Sequence, residues 1–116
     1  MGQKKSLDAV AREQLEAARD ADAGRSSTTV VGGHERSLRQ TVIALTAGQE
    51  LAEHENPGEA TLQVLAGRVV LRAGAQTWDG RTGDLIVIPA GRHGLVAEED
   101  AALLLTVVKI PSGGVS

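Results

Sequence analysis

Cysteine is absent from this chain of 116 residues, and so are phenylalanine and tyrosine. Without cysteine there are no disulfides and no thiolate metal ligands, which agrees with a reducing compartment. Trp78 is the single aromatic residue. The core must therefore be packed from Val, Leu, Ile and Ala, a composition suited to a small β-rich barrel. No apolar run approaches the ~18 residues that a membrane-spanning helix needs, and the N-terminus has no apolar stretch of signal-peptide type. A cytoplasmic protein without a membrane partner is expected. The formal charge is −3, with no basic block and no aromatic residues among basic ones. Nucleic acid is not an expected partner.

A chain of this length makes one domain. Residues 1–25 read as a helical extension, residues 26–110 as the β-barrel and residues 111–116 as a loose, polar, Gly-rich tail. Within the extension, Leu7, Val10, Ala11, Leu15 and Ala18 recur at helical spacing, and the helix is expected over Ser6–Ala23. Ser6 can cap its start and Gly24 can end it. The apolar stripe is thin, so this helix must lean on the barrel or on a partner subunit.

Beyond Gly24 the chain turns to short runs of Val, Ile, Leu and Thr punctuated by Gly. Strands are expected at Thr28–Val31, Leu38–Ala47, Thr61–Leu65, Arg68–Arg72, Gln76–Trp78, Leu85–Pro89, Gly94–Ala97 and Ala102–Ile110. Ala73-Gly74 and Asp79-Gly80 read as turns. The runs LIVIP and LLLTVVKI read as strands buried on both sides. Many closely spaced strands imply a sandwich or closed barrel. Glu98-Glu99-Asp100 reads as a solvated turn between the last two strands.

Two spaced motifs carry a resemblance. In GQELAEHENPGEATLQVLAG, Gly48 is followed by five residues and then His54. Asn56, Ala60 and Gly67 complete this first set. In the second, Gly83 is followed by five residues and Pro89, with Gly91, His93 and Ala97 beyond it. This framework resembles the small single-domain cupins, whose motifs run G(X)5HXH(X)3-4E(X)6G and G(X)5PXG(X)2H(X)3N. The resemblance spans roughly Leu38 to Ile110. It implies an all-β fold, a cupin jelly-roll barrel of eight strands, here with an N-terminal α-helix. Gly48, Gly67 and Gly83 suit tight turns where φ is positive.

The resemblance also implies where a metal would be held: by two histidines and a glutamate of the first motif and one histidine of the second. Here His54 and His93 match ligand positions. Asn56 replaces a histidine and Ala60 replaces the glutamate. Two imidazoles bind a divalent ion loosely, since tight sites use three or four protein ligands. Glu59, beside the Pro57-Gly58 turn, is the best substitute carboxylate, and Glu50 is a weaker one. The candidate metal ligands are thus His54, His93 and Glu59, for Zn, Fe, Mn or Ni, in an incomplete site. The favoured expectation is no cofactor.

The candidate ligand-binding residues are His54, Asn56, His93, Gln40, Leu62 and Val64. If Ala60 points inward, Leu62 and Val64 share that face and Gln63 does not. On the Leu38–Ala47 strand, either Gln40, Val42 and Ala44 face inward, or Arg39, Thr41 and Ile43 do. The first set is less charged and is favoured. An inward Arg39 would be a natural carboxylate clamp. Trp78 reads as core filling or a subunit contact, and His34 as a loop residue.

The fold hosts many activities and does not decide among them. The leading expectation is a module that binds a small organic molecule at the barrel mouth, without the four-ligand metal centre. The alternative is a metal-dependent dioxygenase, isomerase or lyase with an improvised His54/His93 site. A sensory or accessory role through a partner is a third. A homodimer is expected, through an exposed sheet face or by exchange of the Thr28–Val31 strand.

Overall fold

The computed structural model describes residues 2–55 and 58–109, with His54 and Glu55 described by their backbone alone. Among the described residues one helix, α1 (Leu7–Asp20), precedes nine strands. These are β1 (Arg25–Val31), β2 (Leu38–Leu45), β3 (Glu50–Glu55), β4 (Glu59–Ala66) and β5 (Arg68–Ala73), followed by β6 (Gln76–Arg81), β7 (Leu85–Val87), β8 (Arg92–Ala97) and β9 (Ala101–Val108). A five-stranded sheet in the order β1-β2-β9-β4-β7 faces a four-stranded sheet in the order β3-β8-β5-β6, and neighbouring strands pair antiparallel. This is the expected all-β jelly roll with an N-terminal helix.

The strand missing from the sequence reading is β3. Its residues ELAEHE carry three acids and no β-branched side chain, so strand propensity is hidden. Pairing with β8 supplies the stabilisation instead. Asp79-Gly80 is not a turn but lies within β6. Gly80 is needed there for space, since a Cβ would come within 3.1 Å of Ile86 and Val64 side-chain carbons.

The core lies between the sheets. Leu45, Val64, Val69, Leu71 and Leu103 are fully buried in it, each worth about 1.5–3 kcal/mol relative to exposure. Register fixes which residues face it. The rows Ile43–Leu103–Val64 and Thr41–Leu105–Leu62 cross β2, β9 and β4 on the inner face. The opposite parity, Val42 and Ala44 with Ala102 and Leu104, is also buried, but on the outer face of the sheet. There α1 packs across β1, β2 and β9. Ala11 and Ala18 are its buried residues, and their small side chains let the helix approach closely.

This overturns the expected parity of β2. Gln40, Val42 and Ala44 are the easier set to bury, and they face the helix side rather than the barrel. Gln40 lies on the outer face, where its amide donates to Thr106 Oγ1 at 3.0 Å. The LIVIP run is corrected as well. Ile86 and Ile88 are buried, whereas Leu85 is 63% and Val87 72% exposed. β7 is an edge strand on the part of the sheet that α1 leaves open.

Ser6 caps α1 as expected, its Oγ accepting from the Ala9 N–H at 3.2 Å. The helix ends at Asp20, earlier than expected, and Gly24, with φ +68°, instead turns the chain into β1. The Gly24 carbonyl accepts from the Thr46 N–H at 2.9 Å.

Candidate functional site

One end of the barrel is defined by the start of β8, the end of β9 and the start of β4. Ile88 donates its N–H to the Ala60 carbonyl at this end. Gly91, with φ +97°, turns the chain into β8. His93 follows and is 5% exposed, with its Nδ1 3.4 Å from the Gly91 carbonyl. Beneath it lies a void of about 30 Å³, bounded by Leu51, Leu71, Ile88, His93, Leu95 and Leu105. The floor of the mouth is thus apolar, with His93 as its polar group.

A β-bulge brings His54 to this place. Leu51 pairs with Leu95, and His54 pairs with His93. Three residues on β3 therefore span two on β8. Strict alternation from inward Leu51 would place position 54 outward. The extra residue reverses that and puts position 54 on the inner face, opposite His93. Glu53, in the bulge, reaches the outer face, where it lies 3.8 Å from Arg92.

The inward residues of β4 follow the expected parity. Ala60, Leu62 and Val64 are buried in the core, and Gln63 is exposed. Ala60 therefore occupies an inward position at the mouth, but as a methyl group. Glu59 is a correction: alternation places it on the outer face, paired with Val108, where it lines an open groove with Thr61, Val87 and Thr106. Glu50, paired with Val96, is likewise on the outer face. Asn56 lies outside the described residues. Gln40 is removed from the mouth by the reversed parity of β2.

That reversal brings Arg39, the less favoured inward candidate of β2, to the mouth. Burial was not required: Arg39 is exposed at the rim. It forms one row with Val107 and Ala60 across β2, β9 and β4. Among the described residues it makes no ion pair.

The donor set does not fit the family's four-ligand metal centre. The glutamate position holds Ala60, and the nearby acids Glu50, Glu53 and Glu59 are on outer faces. Among the described residues no three His, Asp, Glu or Cys side chains cluster as metal ligands.

The strong ion pairs lie elsewhere. On the outer face of the four-stranded sheet, Arg68 Nε donates to Asp79 Oδ1 at 2.8 Å. That hydrogen bond, with the guanidinium charge, holds the Asp79 carboxyl below the usual carboxylate range. At the end opposite the mouth, Asp100 accepts from the Ala47 N–H at 2.9 Å and from Arg19 Nε at 2.9 Å. The backbone donor chiefly, and Arg19 next, hold its carboxyl low.

Comparison with known proteins accords with this architecture. The family model described as "Cupin domain" matches residues 41–109. The chain belongs to the cupin family. Among solved structures, this cupin is similar to a conserved protein of unknown function from Streptococcus pyogenes. Identity is 31%, coverage is 97% of this chain and 93% of that chain, and the TM-score is 0.73. A cupin superfamily protein from Desulfitobacterium hafniense shares 15% identity over 95% of each chain, with a TM-score of 0.74. A salicylate 1,2-dioxygenase from Pseudaminobacter salicylatoxidans shares 24% identity, with a TM-score of 0.69. There this cupin covers 32% of that longer chain with 85% of its own, a likeness of fold. No curated protein matches the chain. Among the described residues no helix is long and apolar enough to cross a membrane.

Proposed function

We propose that this cupin binds a small organic molecule at the barrel mouth, without a four-ligand metal centre. The observation that carries the reading is the pairing of His54 with His93 above an apolar floor. Ala60 supports it, since the mouth lacks the anionic group that would favour a dication. In this reading His93 and His54 orient the bound molecule by hydrogen bonding, and Leu105 and Ile88 meet its apolar part.

Metal content tests the reading directly. The purified, untagged protein is expected to hold well below one equivalent of Zn, Fe, Mn or Ni. A stoichiometric metal, lost in both His54→Ala and His93→Ala, would overturn it in favour of metal-assisted chemistry.

A homodimer is part of the same proposal. Among the described residues, Leu38, Leu85, Val87 and Val108 are the exposed large aliphatics, all on the outer face of the five-stranded sheet where α1 does not reach. Among the described residues, Glu59 is the one charged residue lining the groove there. A second copy can meet this face with little like-charge repulsion.

A further inference from the structure

We infer that the molecule taken up at the mouth is a carboxylate, with Arg39 as its clamp. This rests on the reading that the mouth is a binding site, and adds the chemical class of the ligand.

The argument is one of charge and register. Of the inward strand positions described, none is acidic: β2 presents Arg39, Thr41, Ile43 and Leu45, β9 presents Ala101, Leu103, Leu105 and Val107, and β4 presents Ala60, Leu62 and Val64. Arg39 stands at the rim of this surface, in the row that ends at Ala60. A glutamate at position 60 would make the row self-neutralising. With alanine there, the guanidinium is the row's only formal charge, and it has no ion-pair partner among the described residues. The guanidinium fork matches a carboxylate with two parallel N–H···O bonds. Across the barrel, His93 can donate to the same ligand or to a second polar group on it.

Size narrows the class further. The void below His93 holds only about 30 Å³, room for one or two water-sized groups. A short apolar arm can enter there while the carboxylate stays at the rim beside Arg39. The part of the carboxylate ligand that enters below His93 is therefore a short aliphatic group.

The test compares acetate and butyrate with acetamide and butyramide, followed by backbone amide NMR on the full chain. Each amide keeps its acid's shape without the charge. Butyrate is expected to shift the His93, Ala60 and Val107 amides, at least about tenfold more tightly than butyramide. Arg39→Gln should weaken butyrate at least about tenfold and leave butyramide unchanged. Arg39→Lys should recover part of the loss. Because Arg39 is exposed at a strand rim, an unchanged spectrum elsewhere verifies that the variants fold. If acid and amide shift the mouth equally, or Arg39→Gln leaves butyrate unaffected, the carboxylate assignment is overturned while the mouth remains a site. If none of the four probes shifts mouth amides, both readings fail.

Discussion

His54 and His93 are direct cross-strand partners in the β3–β8 ladder, one residue out of the alternation begun by the Leu51–Leu95 pair. The bulge between those pairs keeps two ligand positions of the cupin framework on one face. Of the two remaining ligand positions, one holds Asn56 in place of a histidine and the other Ala60 in place of the carboxylate. Position 60 is the described one of the two, so it is where the metal question can be tested first.

Ala60→Glu should restore the missing carboxylate and give three candidate ligands with His54 and His93. The variant is expected to bind Zn²⁺, Mn²⁺ or Ni²⁺ at least about tenfold more tightly than the parent, by calorimetry. Without metal it should be less stable by about 2–4 kcal/mol, because position 60 is 6% exposed and an unpaired carboxylate there is poorly solvated. Added metal should recover much of that loss. No gain in affinity would mean that position 60 cannot cooperate with His93.

The turn between β4 and β5 depends on Gly67. Its φ is +85°, and an added Cβ would run into the Asp100 carbonyl oxygen. Gly67→Ala should destabilise the fold by more than about 2 kcal/mol, combining left-handed strain with the clash. Gly74 has φ +60° but open space around it. Gly74→Ala should lose only about 1 kcal/mol. Equal losses in chemical denaturation would contradict this account.

Asp100 predicts an acid response. Its carboxyl is held below the ordinary range, first by the Ala47 N–H and then by Arg19. A group depressed in the folded state stabilises it fully above its unfolded pKa and stops doing so as pH falls through its folded pKa. Asp100→Ala should therefore lower stability at pH 7 by about 1 kcal/mol, a modest value because the pair is partly solvated. The gap between parent and variant should close below the carboxylate range. A difference that persists undiminished at pH 2 would point to packing instead.

Val87→Arg tests the dimer. The side chain is 72% exposed on the uncovered sheet face, so the fold should be unaffected within about 0.5 kcal/mol. Light scattering is expected to show the parent as a dimer and the variant as a monomer at the same concentration. A dimer in both would locate the contact elsewhere, with the β1 edge the next place to look.

The architecture was legible because glycine spacing and aliphatic runs report turns and strands directly. Gly48, Gly67 and Gly83 all have positive φ, as their places in the framework suggested. The errors share one cause: neither alternation nor apolarity says what covers a sheet. β2 and β9 bury both faces because α1 seals one of them, so the apolar residues Val42 and Ala44 faced the helix. β7 is equally apolar, but α1 does not reach it, and Leu85 and Val87 stay in solvent. At the mouth, the parity of β2 removed Gln40 and brought in Arg39. Only the ladder register carried that information.

Trp78 has a practical consequence. It pairs with Leu71, packs against the core at partial burial, and shares an inner row with Leu95 and Leu51. With no tyrosine in the chain, near-ultraviolet fluorescence comes from this one indole. Its emission will report how the four-stranded sheet opens around Trp78, while events confined to α1 pass unseen. Comparing that signal with far-ultraviolet dichroism will show whether helix and barrel unfold together.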